Sequence, residues 1–285
     1  MSTFRAGPHR LPLGGRTLVM GVVNVTPDSF SDGGRFLDPE VAVAHGKRLL
    51  AEGADILDVG GESTRPGAEP VAPEIEARRV IPVVRELAAL GSPVSIDTRR
   101  VEVAREALDV GACIVNDVSA FADPGMAALV AARDAGCVLM HKQGEPRTMQ
   151  EAPSYVDVVR EVRDFLAERA KAAEGEGVRH DAIIVDPGLG FGKSFEHNAE
   201  LLRALPSLAS TGYPVIVGHS RKSFVGRLLD DGRGAPPANE RIDGSVAVAV
   251  LAAQWGAAVV RAHDVAETVR ALRVADRLAG RVPLG

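Results

Sequence analysis

Eight parallel strands, each followed by a helix and closed into a (β/α)8 barrel, are the α/β fold this chain predicts, and three observations carry that reading. Short apolar runs rich in Val and Ile recur eight times along the 285 residues. A segment that can be helical follows each run. Every run ends, on its C-terminal side, in residues able to bind a ligand or do chemistry. The alternation implies a parallel sheet, and eight is the number that closes one into a TIM barrel. The polar ends then converge on one face, where such barrels carry their sites. A single polar strand end is usually a helix cap or loop solvation, but eight in register are poorly explained that way. An open doubly wound sheet is the competing architecture.

In chain order, the first run is TLVMGVVNV, ending near Val25 and carrying Asn24 at its polar end. Asp38-Pro39 pairs an N-cap acceptor with a proline at the first helical position and marks the next helix start. DILDVGGES follows, ending in Glu62-Ser63-Thr64-Arg65. The helical stretch from Glu74 to Leu90 contains Pro82, which predicts a kink or a late start. VSIDT brings Asp97, and IVNDVS brings Asn116 and Asp117. Asp123-Pro124 signals a second capped helix start. CVLMHK ends with Met140 and His141. Tyr155, Val158, Val159, Val162, Phe165, Leu166 and Arg169 then recur at helical spacing. IIVDPG ends at Asp186, VIVGHS at Ser220-Arg221-Lys222, and VVRAHDV at Arg261 and His263. A last helical repeat joins Val265, Val269, Leu272 and Ala275. With no linker, low-complexity segment or long charge run, residues 1–285 read as one barrel domain preceded by a lead-in over about 1–16.

Composition agrees. Apolar residues make up 46% and aromatics only 4% of the chain, so its core must be aliphatic, as suits parallel strands covered by helices. A formal net charge of −5 argues against a nucleic-acid surface and leaves room only for a small, enclosed cationic site. Cys113 and Cys137 each border an apolar segment with no second cysteine nearby, and read as buried structural residues. The N-terminus lacks an apolar signal region, and the longest apolar run, Val246 to Ala253, is too short to span a bilayer, so a cytoplasmic protein is expected.

The rim is bipolar. Asp97 and Asp186 can accept paired hydrogen bonds from a planar N-rich heterocycle such as an aminopyrimidinone. Arg65, Arg221, Lys222 and Arg261, with His263 as a further donor, suit a phosphate or diphosphate. No Ser-His-Asp spacing, His/Cys cluster or HExxH is present, which leaves nucleophilic and zinc chemistry without support. GLGFGKS (Gly188 to Ser194) imitates a nucleotide loop, but Pro187 stands where Walker A needs glycine and Lys193 where GxGxxG needs its third. Its glycines are better read as letting the loop lie flat against a substrate, with Phe191 as an aromatic face.

GVVNVTPDSFSDGG (Gly21 to Gly34), ESTRPG (Glu62 to Gly67), SIDT (Ser95 to Thr98), DPGLGFGK (Asp186 to Lys193), SRKSF (Ser220 to Phe224), ERIDGS (Glu240 to Ser245) and RAHDV (Arg261 to Val265) occur in this order. With Asn116-Asp117 and Met140-His141 between them, the chain resembles the dihydropteroate synthase family over nearly its whole length. That resemblance implies a reaction in which the amine of p-aminobenzoate displaces pyrophosphate from a hydroxymethyl-dihydropterin diphosphate, with Mg2+ assisting the leaving group. It implies pterin-site roles for Asp97, Asn116, Asp186 and Lys222, beside Met140 and Phe191. Asn24 matches a magnesium-linked asparagine, and Thr64, Arg261 and His263 match a diphosphate set. Thr64, Arg65, Pro66, Phe191 and Ser223 match the walls of a p-aminobenzoate pocket. It further implies a homodimer, inhibition by sulfonamides (no insertion interrupts GFGK), and a mobile lid over Thr26 to Gly34. Lys142-Gln143-Gly144 and His219 fall where variation is expected. Two rivals are a pterin-dependent methyltransferase domain, which would not need the p-aminobenzoate walls, and a non-catalytic pterin-binding paralogue, which would have lost Asp97, Asp186, Lys222 or Arg261.

Overall fold

The computed structural model describes residues 2–26, 39–63, 71–145 and 148–283. An antiparallel hairpin, β1 (Thr3–Ala6) and β2 (His9–Pro12), comes first. Among the described residues, eight parallel strands follow: β3 (Leu18–Asn24), β4 (Ile56–Gly60), β5 (Val94–Asp97), β6 (Ile114–Asp117), β7 (Gly136–Met140), β8 (Ile183–Asp186), β9 (Ile216–Gly218) and β10 (Val259–Ala262). They lie side by side in the order β8-β7-β6-β5-β4-β3-β10-β9. The remaining seam is thin because β9 is short. It is an isolated parallel bridge between Val185 and Val215, with the Val185 amide donating to the Pro214 carbonyl at 2.9 Å. The helices between the strands are α1 (Pro39–Ala51), α2 (Pro73–Ala88), α3 (Val101–Asp109), α4 (Met126–Ala132), α5 (Val158–Gly175), α6 (Phe195–Arg203), α7 (Leu205–Ala209), α8 (Ser223–Leu228), α9 (Ile242–Gln254) and α10 (Val265–Leu278). The barrel expectation is met strand by strand.

Two-residue alternation divides the apolar residues of each strand between two cores. Outward-facing Val19, Val23, Leu57, Val59, Ile96, Val115, Leu139, Val185, Val217 and Val260 join the helices in one large cluster. Inward-facing Leu18, Met20, Ile56, Ile114, Val138, Ile184, Ile216 and Val259 fill the lower barrel. That lower cluster also takes Phe4, Ala6 and Leu13. The lead-in is therefore a hairpin that closes the N-terminal end of the barrel, a structure the sequence reading did not foresee. Phe4 is fully buried, and a Cβ placed on Gly136 would lie 2.6 Å from its ring, so the ring occupies space that only glycine leaves. Phe4→Ala should cost about 3–5 kcal/mol of unfolding free energy. Urea titration checks this, and a loss below about 1 kcal/mol would mean the hairpin does not seal the barrel.

Three local expectations need correcting. Pro82 does not delay α2, because the helix already starts at Pro73 and runs through it to Ala88. Burial of Val80, Val83, Val84 and Leu87 outweighs the roughly 3 kcal/mol that an interior proline costs. Asp123 does not open its own helix, since α4 begins at Met126 after a left-handed Gly125. Its carboxylate instead accepts the Val101 amide at 2.9 Å, capping the start of α3. Tyr155 precedes α5, whose first turn is capped by Asp157 accepting from Arg160. The tyrosine hydroxyl donates instead to the Gly192 carbonyl at 2.8 Å.

Candidate active site

Above the apolar floor the inward-facing residues turn polar. On β4 the inward positions are Ile56, Asp58 and Gly60, so Asp58 stands halfway up the barrel and is fully buried. Register places Asp58 beside Ser95 and Gly60 beside Asp97. β5 ends in Asp97 and β6 carries Asn116 next to it. β7 and β8 end side by side at Met140 and Asp186. β10 contributes Arg261 next to Gly218 of β9, and a Cβ on that glycine would lie 3.7 Å from Asp186 and 3.8 Å from Arg261.

Arg261 reaches across the barrel and joins two carboxylates. Its Nε donates to Asp58 Oδ2 at 2.6 Å and its Nη2 to Asp97 Oδ2 at 2.9 Å, while Asn116 Nδ2 donates to the same Asp58 oxygen at 3.1 Å. Asp58 Oδ1 is buried without a hydrogen-bond partner among the described residues. Asp186 Oδ1 accepts the Gly188 amide at 2.7 Å. Lys222 Nζ donates to the Leu189 carbonyl at 2.6 Å and lies 4.5 Å from the centre of the Phe191 ring. Burial and the charge of Asp58 push the Asp97 carboxyl up to about 7, against the Arg261 guanidinium that pulls it down. Burial likewise raises Asp186, opposed by Lys222. Burial lowers Lys222 to about 8, with Asp186 holding it from falling further. The result is a buried well of carboxylates and cations at the C-terminal ends of the strands. Such a well can grip a planar heterocycle with both donors and acceptors on its edge.

The glycine-rich loop after β8 is fixed in place. A Cβ on Gly188 would lie 1.9 Å from the His141 carbonyl oxygen, and one on Gly192 would lie 2.1 Å from that of Gln143. Both glycines also have positive φ. They serve backbone contact with the loop after β7, a role the sequence reading did not foresee. The loop's carbonyls are taken up in turn: Leu189 by Lys222, Gly190 by Gln150 at 2.5 Å, Phe191 by Lys193 at 3.0 Å and Gly192 by Tyr155. Asn198 accepts the Gly190 amide at 2.7 Å and donates to the Ser194 carbonyl at 2.6 Å. Lys193 is buried under the loop, so it cannot serve phosphates as a Walker lysine does.

Around the rim, His263 bonds through its amide and Nδ1 to Ser220 Oγ, both at 3.1 Å. Arg221, grouped by sequence with the anion-binding cations, is held by Asp264 through Nε at 2.9 Å and a second, shorter contact from Nη2. Its φ is +60°, a left-handed turn that directs the side chain to the neighbouring strand end. Ser245 and Arg241 secure that turn: the Arg221 amide donates to Ser245 Oγ at 3.0 Å, and Arg241 Nη1 donates to the Arg221 carbonyl at 3.0 Å. Ser223 opens α8 and is exposed. Asn24 ends β3, half-buried beside Gly60. Thr64, Arg65, Pro66 and the predicted lid residues from Pro27 to Gly34 lie outside the described residues. Sequence reasoning missed Asp58. Its signal was an acidic residue inside an apolar strand at an inward position, which requires a cation from another strand. Cys113 and Cys137 are buried free thiols that burial pushes well above the usual range.

The chain matches the family description "pterin binding enzyme" over residues 20–263. It is 53% identical over 259 residues to the dihydropteroate synthase of Mycobacterium leprae, covering 90% of this chain and 91% of that one. Its fold is similar to Xanthomonas albilineans dihydropteroate synthase solved with 4-aminobenzoic acid, with a TM-score of 0.89, 49% identity, and 98% and 99% of the two chains covered. It is also similar to the Yersinia pestis dihydropteroate synthase solved with a sulfonamide drug, with a TM-score of 0.91, 40% identity, and 98% and 99% covered.

Proposed function

The chain belongs to the pterin-binding enzymes and, among them, to the dihydropteroate synthase family, and from that premise we propose how its barrel mouth performs the family reaction. The enzyme is a transferase that joins 6-hydroxymethyl-7,8-dihydropterin diphosphate to p-aminobenzoate, giving 7,8-dihydropteroate and pyrophosphate. The observation that carries this reading for the chain's own residues is the convergence of Asp97, Asn116, Asp186 and Lys222 on one well. Carboxylates in it can accept from the amino and ring N–H groups of a pterin, and Lys222 can donate to a ring acceptor. Met140 and Phe191 offer apolar faces at the same level.

The C–O bond to the diphosphate breaks first, leaving positive charge shared between the exocyclic CH2 and the ring. Asp58, Asp97 and Asp186 form a buried negative field suited to that charge, and act without reorganising. The arylamine nitrogen then attacks, the new N–C bond forms, and the ammonium proton passes to solvent or to the departing pyrophosphate. An arylamine is neutral near pH 7 and needs no strong base. His263 and Arg261 serve the leaving-group side, and Thr64, outside the described residues, is assigned to it with them; Arg261 must then serve the anion while tied to Asp58 and Asp97. Phe191 and Ser223 are the described residues assigned to the p-aminobenzoate site, and Thr64, Arg65 and Pro66, outside the described residues, are assigned to it with them. Among the described residues no three His, Cys, Asp or Glu side chains are grouped to hold a metal. Mg2+ suits such a site, since it is commonly held by one or two protein oxygens plus substrate phosphates, and Asn24 supplies an amide oxygen at the strand end. When bound, the ion neutralises charge developing on the diphosphate.

Formation of dihydropteroate when both substrates are supplied, and its absence when either is withheld, tests the reaction. Turnover of the pterin that gives no dihydropteroate would refute it. Sulfonamides should inhibit competitively against p-aminobenzoate, and inhibition unaffected by raising p-aminobenzoate would overturn that assignment. Leu228 on α8, Leu229 just after it, Leu251 on α9, and Val274 and Leu278 on α10 stand exposed on neighbouring helices, apolar surface suited to pairing two copies of the chain, which sedimentation can check. No helix among the described residues is long and apolar enough to cross a membrane, consistent with placing the enzyme in the cytoplasm.

A further inference from the structure

Lys193 is the one lysine in the site region that touches neither the well nor solvent, being 2% exposed. Its ammonium has three hydrogens and finds three acceptors: His141 Nδ1 at 2.9 Å, the His141 carbonyl at 3.3 Å and the Phe191 carbonyl at 3.0 Å. Two of these belong to the loop after β7 and one to the loop after β8. The Gly188 contact leaves the His141 carbonyl enclosed between the loops, with a Cβ's width already filled. With the Lys193 ammonium donating to its Nδ1, the His141 imidazole carries its proton on Nε2, and its ring meets Phe165 edge-on at 4.9 Å. Phe191, whose carbonyl Lys193 holds, carries the ring that lies under Lys222. Burying a lysine costs several kcal/mol, and an apolar residue of the same length would pack there at lower cost unless the three bonds did something else.

We infer that Lys193 is a positioning residue for pterin binding: by tying the His141 and Phe191 carbonyls together it sets the Phe191 ring at the height where a pterin lies between it and the carboxylates. Lys193 itself touches no substrate. The inference rests on the well being the pterin site. It separates Lys193 from Asn198 and Tyr155, which hold the same loop from its far side, at Gly190, Ser194 and Gly192.

The test is a double-variant cycle on Lys193→Met and Phe191→Ala, read as KM for each substrate and kcat. Lys193→Met alone should raise the pterin diphosphate KM about tenfold, the scale of one buried hydrogen bond left unmade. The p-aminobenzoate KM should move much less. In the Phe191→Ala background the same change should add less than twofold, because the ring it acts through is gone. Should Lys193→Met fail to fold, Lys193→Gln keeps two donors and should raise the pterin KM about threefold. An unchanged pterin KM in a folded variant, or effects that multiply in the double variant, would overturn the inference. If the wild-type chain makes no dihydropteroate, the functional reading fails on its own. The cycle is then read calorimetrically with a pterin lacking the diphosphate, where loss of the coupling again counts against Lys193.

Discussion

Asp97→Asn should lower kcat/KM for the pterin diphosphate about 100- to 1,000-fold while the chain remains folded. The amide has the shape of the carboxylate but carries no charge, and half of its edge donates where the substrate also donates. Two charge-assisted hydrogen bonds are weakened or reversed, which amounts to about 3–4 kcal/mol of transition-state binding. Folding survives because Arg261 keeps its 2.6 Å bond to Asp58 when the 2.9 Å bond to Asp97 is weakened. The wild-type pH profile offers a second readout. With Asp97 pushed up to about 7 by burial and Asp58, its acceptor form is lost as pH falls through a range well above ordinary carboxylates. The acid limb of kcat/KM should therefore lie near neutrality and shift or flatten in Asp97→Asn. Activity within a factor of three of wild type would remove Asp97 from the pterin site.

The barrel was legible because parallel strands buried on both faces write themselves as short aliphatic runs, and because polar residues recur at the same end of each run. What periodicity could not show was direction across the barrel. Asp58 sits in DILDVG among residues that all read as core, and only its inward position in the barrel, with Arg261 reaching to it from β10, reveals its partner. Arg221 has a partner that the sequence could not show. Its place beside Lys222 suggested a shared role, yet a left-handed backbone turns its side chain to Asp264. The hairpin β1–β2 is too short to carry a periodicity, and its function depends on Phe4 meeting Gly136 more than a hundred residues away. Asp123 looked like a cap for the helix after it because capping is a local rule, whereas its carboxylate had a closer client in the Val101 amide. DPGLGFGK was legible as a motif, but not as architecture. Gly188 and Gly192 answer to carbonyls of His141 and Gln143, contacts that exist only once two loops are stacked.

Arg261→Met should be the most damaging single change in the well, costing about 3–5 kcal/mol of stability near pH 8 as well as most of the activity. Removing the guanidinium leaves Asp58 fully buried beside Asp97 with only the 3.1 Å bond from Asn116, and one Asp58 oxygen has no partner even now. Breaking a buried charge network by deleting one member typically costs that much because the survivors stay buried and charged. The loss must depend on pH in a definite direction. Asp97 already binds its proton more tightly in the folded chain than an exposed Asp does, and the deleted guanidinium is what pulls it the other way. In the variant, the folded chain therefore holds a proton that the unfolded chain has released. Its stability is retained below the unfolded value near 4 and falls as pH rises toward the folded value, which lies higher than in the intact chain. Denaturant titrations at pH 5 and pH 8 should show Arg261→Met much closer to wild type at pH 5. A deficit equal at both values would mean that the guanidinium stem, filling space between Gly218 and the floor, matters more than its charge.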